Sequence, residues 1–147
     1  MSSIRRRGRE AAVQWLYASE VAGQLPNEQD CTKFWELCVA KPAGREFAEK
    51  LVKGVLENLE AVDREVAGSL HNYEFARLAA VDRNILRVAA FELMFDEQVP
   101  AGVAINEAIE IAKDFGGSES GRFVHGVLDE IRRRCDSSGA VKADSAS

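Results

Sequence analysis

Apolar residues recur along this chain at helical spacing. From Ile4 to Ala22, Ala12, Val13, Leu16 and Tyr17 fall on one arc at about 100° per residue with Trp15 flanking it, and Gly23 followed by Pro26 ends the pattern. Gln24 to Gly44 predicts a connection holding a short helix near Cys31 to Ala40. Arg45 to Ala67 then carries Phe47, Leu51, Val55, Leu59, Val62 and Val66 at steps of four and three, and Ala48, Val52 and Leu56 widen the stripe enough for two neighbours. Gly54 inside that helix is unfavourable by about 1 kcal/mol relative to alanine, so another helix is expected to approach closely there.

Gly68 to Phe75 reads as a loop, and Arg77 to Phe95 as the helix around which the others are organised. Between Ile85 and Phe95 only Arg87 and Glu92 are charged, and a helix apolar on nearly every side belongs at the centre. After Pro100, Ala101 to Phe115 points Ile105, Ile109, Ala112 and Phe115 inward and Glu107, Glu110, Lys113 and Asp114 outward. Gly116 and Gly117 close it, and Ser118 or Ser120 caps a last helix that runs to about Arg134 with Phe123, Val127, Leu128 and Ile131 buried. No segment alternates with period two, so the predicted class is all-α, a compact globular bundle of about six to seven helices. Residues 1–135 form the expected domain, and the polar residues 136–147 a disordered tail.

Length and composition narrow the class. The chain has 147 residues, 46% of them hydrophobic, which is one domain's length. No apolar run approaches the ~20 residues that cross a bilayer, and the basic start MSSIRRRGRE has no hydrophobic segment behind it, so neither membrane insertion nor secretion is expected. Cys31, Cys38 and Cys135 form no CxxC pair and leave an odd thiol, which fits a reducing cytoplasm and packing or surface roles rather than a metal or disulfide. His71 has no ligand partner near it in sequence and reads as a surface residue.

The net charge of −5 argues against a nucleic-acid protein until its distribution is considered. Arg5, Arg6, Arg7 and Arg9 all precede the first acid, Glu10, leaving the other 15 of the 19 basic residues against 24 acidic ones. Cations at a helix N-terminus oppose the macrodipole by ~0.3–1 kcal/mol each, which favours an anion site, most simply phosphate, over a solvated basic tip. Arg5, Arg6 and Arg9 are expected to project past the core as phosphate contacts. At the other end, Arg122 beside Phe123 offers a cation and a ring, the combination that single-stranded RNA binders use, while spacing of four from Val127 equally suits Phe123 to the core. Catalysis has no support: there is no phosphate-cradling loop, HExxH, nucleophile elbow or His-Cys-Asp set, and Glu107 with Glu110 reads as a solvated stripe. No enzyme, cofactor or metal site is expected.

Three segments, RRRGREAAVQWLYASE, VDRNILRVAAFEL and VPAGVAINEAIEIAKDFGGSESGRFVHGVLDEI, closely resemble the NusB family of bacterial transcription antitermination factors. The resemblance implies an all-helical protein of two subdomains that binds boxA-type RNA of ribosomal operon leaders with the ribosomal protein NusE, within an antitermination complex on RNA polymerase in the cytoplasm. It implies RNA contacts at Arg5, Arg6, Arg7 and Arg9, a second RNA-facing region at Glu119, Arg122 and Phe123, and partner contacts at Tyr17 and Asp82. Gly8 departs from the pattern and is expected to loosen the arginine turn. The rival reading is a non-catalytic helical scaffold, a homodimer that hides the RNA surface. The same module also resembles the N-terminal domain of some rRNA cytosine methyltransferases, for whose α/β domain the chain leaves no room.

Overall fold

The computed structural model describes residues 4–23, 42–71 and 74–138. The short helix expected near residues 31–40, Cys31 and Cys38, and residues 139–147 of the tail lie outside them. Within the described residues all regular structure is helical: α1 (Ile4–Ala22), α2 (Pro42–Glu57), α3 (Leu59–Gly68), a 3-10 turn (Phe75–Arg77), α4 (Ala80–Phe95) and α5 (Ala101–Ser138). None of these helices is long and apolar enough to cross a membrane.

α4 occupies the centre, packed against α1, α2, α3 and α5. Ile85, Leu86, Val88, Ala89, Ala90 and Leu93 are all buried, as its nearly all-round apolar pattern predicts. Each large aliphatic side chain removed from water in this way contributes about 1.5–3 kcal/mol. Two residues break the apolar rule, Asn84 and Glu92, and both are fully buried. Asn84 donates to the Ala80 carbonyl at 2.8 Å, which satisfies it within its own helix.

Three boundaries differ from the sequence-based expectation, each for a local reason. The helix expected over Arg45 to Ala67 is two, interrupted at Asn58 (φ −121°, ψ 21°), whose side-chain amide donates to the Gly54 carbonyl at 2.9 Å. An asparagine that bonds backbone in this way competes with the helix ladder. The central helix begins at Ala80 rather than Arg77, because Leu78 and Ala79 are extended and Arg83 takes the carbonyls of Phe75 (3.2 Å) and Leu78 (3.0 Å). The detour buries Leu78 in the core. The last helix runs on to Ser138, past the expected tail boundary at 136, with Cys135 buried on its inner side. Burial pushes the Cys135 thiol up to about 11, so it is an unreactive packing residue.

The double glycine ends a helix as expected. Gly117 sits at φ 83°, ψ −174°, and splits α5 into limbs 101–116 and 118–138. The expected inward residue Phe115 is 38% exposed, since the buried stripe of the first limb ends at Ala112 and the second limb takes over the core with Val124, Val127, Leu128 and Ile131. Gly8 lies within the continuous helix α1. It is buried where α1 meets α2, and a Cβ there would lie 2.8 Å from the Phe47 ring and 3.0 Å from the Gly44 carbonyl.

Gly54 meets the close approach its sequence position predicts, with the Phe91 ring of α4 lying directly over it. Gly54→Ala is expected to lower stability by about 1–3 kcal/mol through overpacking, against the gain in helix propensity. A shift of the urea midpoint to lower concentration checks this, and a shift to higher concentration would mean that the ring moves aside freely.

Candidate nucleic-acid interface

The arginine cluster does not act as one unit, because a helix turns successive side chains through about 100° each. Arg5 and Arg7 are exposed, Arg6 is partly buried and Arg9 is 3% exposed. The Arg9 guanidinium grips Glu92 of α4 in a bidentate pair, Nε to Oε1 at 2.9 Å and Nη2 to Oε2 at 2.8 Å, and Nη1 reaches Glu107 Oε1 at 3.4 Å. Arg6 donates Nε to Glu107 Oε2 at 3.0 Å and bonds the same oxygen through Nη2. Glu107 is therefore no solvated residue. It binds the first limb of α5 to the start of α1. The expectation that Arg9 projects beyond the core is overturned: it lies inside, its charge matched by Glu92, and its fork geometry is what a buried carboxylate requires.

Arg5 and Arg9, one turn apart, also stand over the Phe47 ring of α2, at 5.4 and 5.1 Å from its centroid. The far end of α1 repeats the device. Glu20 accepts from Arg83 in a bidentate pair (Nε to Oε1 at 3.1 Å, Nη2 to Oε2) and from Arg87 (Nη1, 3.0 Å), Arg87 forms another bidentate pair with Asp63 of α3 (2.8 and 3.0 Å), and both arginines stand over Phe75. The basic residues of α1 and α4 thus largely hold helices together. Among the side chains that α1 leaves to solvent are Arg5 and Arg7 with Ile4, and, about three turns on, Tyr17 (39% exposed) and Val21 (67% exposed).

The remaining expected site residues gather at the start of the second α5 limb. Glu119 and Arg122 are exposed, and Phe123 is partly buried, packed against the core. Asp82, half-buried in the first turn of α4, takes a hydrogen bond from the Ser120 hydroxyl, which joins it to this segment. Burial raises the Asp82 carboxyl above its ordinary 3.8 more than the Ser120 bond lowers it. Tyr17 reaches the same end of the molecule through Glu20, whose partner Arg83 adjoins Asp82. One end therefore carries Tyr17, Asp82, Glu119, Arg122 and Phe123, while Arg5 and Arg7 stand apart, about 15–18 Å along α1 from Tyr17.

Acids modulate the basic tip. Glu10 has its carboxyl raised above 4.5 by burial and by Asp114 of α5, against the pull of Arg6 and Arg7. Glu107 is lowered by its bond to Arg6 despite burial, and Glu20 likewise by Arg83. Glu107 and Glu92 escaped the sequence reading because each looks like an ordinary helix-face or helix-interior acid. The only available signal was that Glu92 is one of two charges in an apolar helix and needs a partner.

Two outcomes follow from these pairs. Arg9→Ala removes the guanidinium from the buried pair with Glu92 and is expected to destabilise by about 3–5 kcal/mol, whereas Arg7→Ala at an exposed position should stay within about 0.5 kcal/mol. Urea unfolding of the two variants checks the contrast, and equal midpoints would contradict the buried pair. Because Glu107 has a depressed pKa, its pairing stabilises the fold fully above pH 4.5, the ordinary value, and that contribution is lost as pH falls through its lower folded-state value. Glu107→Gln should therefore flatten the decline of stability below pH 4.5, measured by unfolding over a pH series; an unaltered decline would show that the pair with Arg6 contributes nothing.

Comparison with known proteins matches this arrangement to one family. Residues 6–133 fit the model of the NusB family. The chain is 45% identical over 140 residues to the transcription antitermination protein NusB of Desulfotalea psychrophila, covering 90% of this chain and 98% of that protein, and 46% identical over 127 residues to that of Sorangium cellulosum, covering 86% and 90%. Its fold superposes on T. maritima NusB with a TM-score of 0.74 at 36% identity, covering 90% of this chain and 93% of that one. It superposes on a chain of a crystal structure of antitermination factors NusB and NusE in complex with dsRNA with a TM-score of 0.79 at 28% identity, covering 91% and 99%.

Proposed function

The chain belongs to the NusB family, and from that membership we propose that it is an RNA-binding transcription antitermination factor that binds boxA-type RNA of ribosomal operon leaders together with NusE. The observation that carries this reading is the family match over residues 6–133, which spans both the arginine-bearing start of α1 and the segment around Arg122 and Phe123. The function is binding rather than catalysis, and on this reading it is exercised in the cytoplasm within an antitermination complex on RNA polymerase.

The RNA-facing residues in this proposal are Arg5, Arg7, Glu119, Arg122 and Phe123, with Tyr17 and Asp82 toward NusE. Arg6 and Arg9 support the face from behind, since each guanidinium is bonded to a carboxylate of another helix. The exposed Tyr17 and Val21 stripe is an apolar surface of the kind a protein partner covers, and Asp82 lies at the same end. Two subdomains, α1 with α2 and α3 with α5, are joined through α4, and the RNA-facing residues fall on both. The small number of exposed arginines on an acidic protein favours joint binding. Two weak sites on one assembly raise each other's effective concentration for the RNA.

About three phosphates neutralised by Arg5, Arg7 and Arg122 on single-stranded RNA correspond to a slope of about −2 in log affinity against log salt. Replacing the three arginines by alanine is expected to flatten that slope, and adding NusE to raise the affinity of the wild-type chain at fixed salt. Fluorescence anisotropy on a boxA-type oligonucleotide reads both, with gel filtration reporting the oligomeric state. No binding with NusE present, or a slope untouched by the triple substitution, would overturn the proposal in favour of a protein-binding scaffold.

A further inference from the structure

The second limb of α5 carries a glycine that its own fold does not require. Gly126 is exposed, lies in the helical interior of residues 118–138, does not have a positive φ, and a Cβ built on it would meet no atom within 4 Å. Several other helical glycines make room for something: Gly8 for Phe47, Gly54 for Phe91, Gly121 for the Lys113 side chain. Gly102 shares the open surroundings of Gly126 but stands in the first turn of α5, where helix ends fray. An interior helical glycine is less favourable than alanine, so stability alone would place alanine at 126.

Its position gives the missing side chain a meaning. Residues three and four apart are neighbours on a helix surface, and Gly126 follows Phe123 by three and Arg122 by four. Cα to Cβ bonds lean toward the helix N-terminus, so a side chain at 126 would lie over the turn that holds Arg122 and Phe123. That turn presents an exposed cation and a ring only partly buried by the core. A planar base on the uncovered part of the ring extends sideways over the next turn, where bare backbone admits it and a methyl group would lift it.

We propose that Gly126 is a contact residue of the RNA face, a flat backbone floor on which the base stacked at Phe123 rests. The inference depends on the RNA-binding reading above and adds a residue to it. Gly126 sets the depth at which the base sits. It therefore selects for a planar, unpaired nucleotide at that step over a paired or bulky one.

The test uses the full chain with NusE and a boxA-type oligonucleotide. Gly126→Ala is expected to raise the melting temperature, as any interior glycine replaced by alanine in open space should, and to weaken RNA binding on the order of threefold to tenfold, around the low end of one stacked base. Gly126→Gln should weaken it further. With a single abasic nucleotide moved along the oligonucleotide, one position should bind the wild type and Gly126→Ala equally well, because the clash needs the base. Unchanged RNA affinity in both variants while the wild type binds overturns the inference, and so does a defect confined to NusE binding without RNA, which would assign the glycine to the protein partner. Failure of the wild type to bind the RNA overturns the functional reading instead.

Discussion

A guanidinium and a carboxylate sealed between two helices impose the strictest condition in this structure. Arg9 and Glu92 are both withdrawn from water, and the two charges meet in a bidentate fork, with Glu107 also reached by Arg9. An apolar pair of similar size could be as stable, but would fit several registers of one helix on the other. The fork fits one. Glu20 with Arg83 and Arg87 sets the opposite end, so that numbers rise along α1 as they fall along α4 and the two helices are pinned antiparallel at both ends. Everything that packs on α4 inherits that alignment.

The same condition divides the arginine cluster into two kinds of residue. Helical rotation carries Arg9 and Arg6 toward α4 and α5 and leaves Arg5 and Arg7 outside. The acidic residues of α5 then have a structural use at Glu107 and an electrostatic one at Asp114, which lies close enough to Glu10 to raise its carboxyl. The local field at the basic tip is weaker than four adjacent arginines would give, and a protein with such a tip on an acidic body suits recognition that is shared with a partner rather than driven by charge alone.

Glycines carry a second theme of the packing. Gly8 and Gly54 allow aromatic rings of α2 and α4 to lie against helix backbone, and Gly117 turns the chain so that α5 can cover α4 with its first limb and again with its second. The turn also sets Ser120 against Asp82, which places the exposed Arg122 and half-buried Phe123 beside the start of the central helix.

Periodicity alone determined the all-helical class, the central position of the stretch from Ile85 to Phe95, the close approach at Gly54 and the break at Gly117, because each is set by residues within a few turns of one another. The identity of the family was also legible, since three long segments carry it in order. Local chemistry that competes with the helix ladder was harder to see: Asn58 interrupts one helix and Arg83 accompanies the late start of another, each bonding backbone carbonyls, and only their side-chain geometry reveals it. The fates of Arg6, Arg9, Glu92 and Glu107 were decided by the tertiary structure. Their partners lie 83 to 101 residues away, and no spacing along one helix can say which charges will meet when two helices cross. A sequence records that a charge exists; burial and the neighbour across the interface determine whether it faces solvent or holds the fold together.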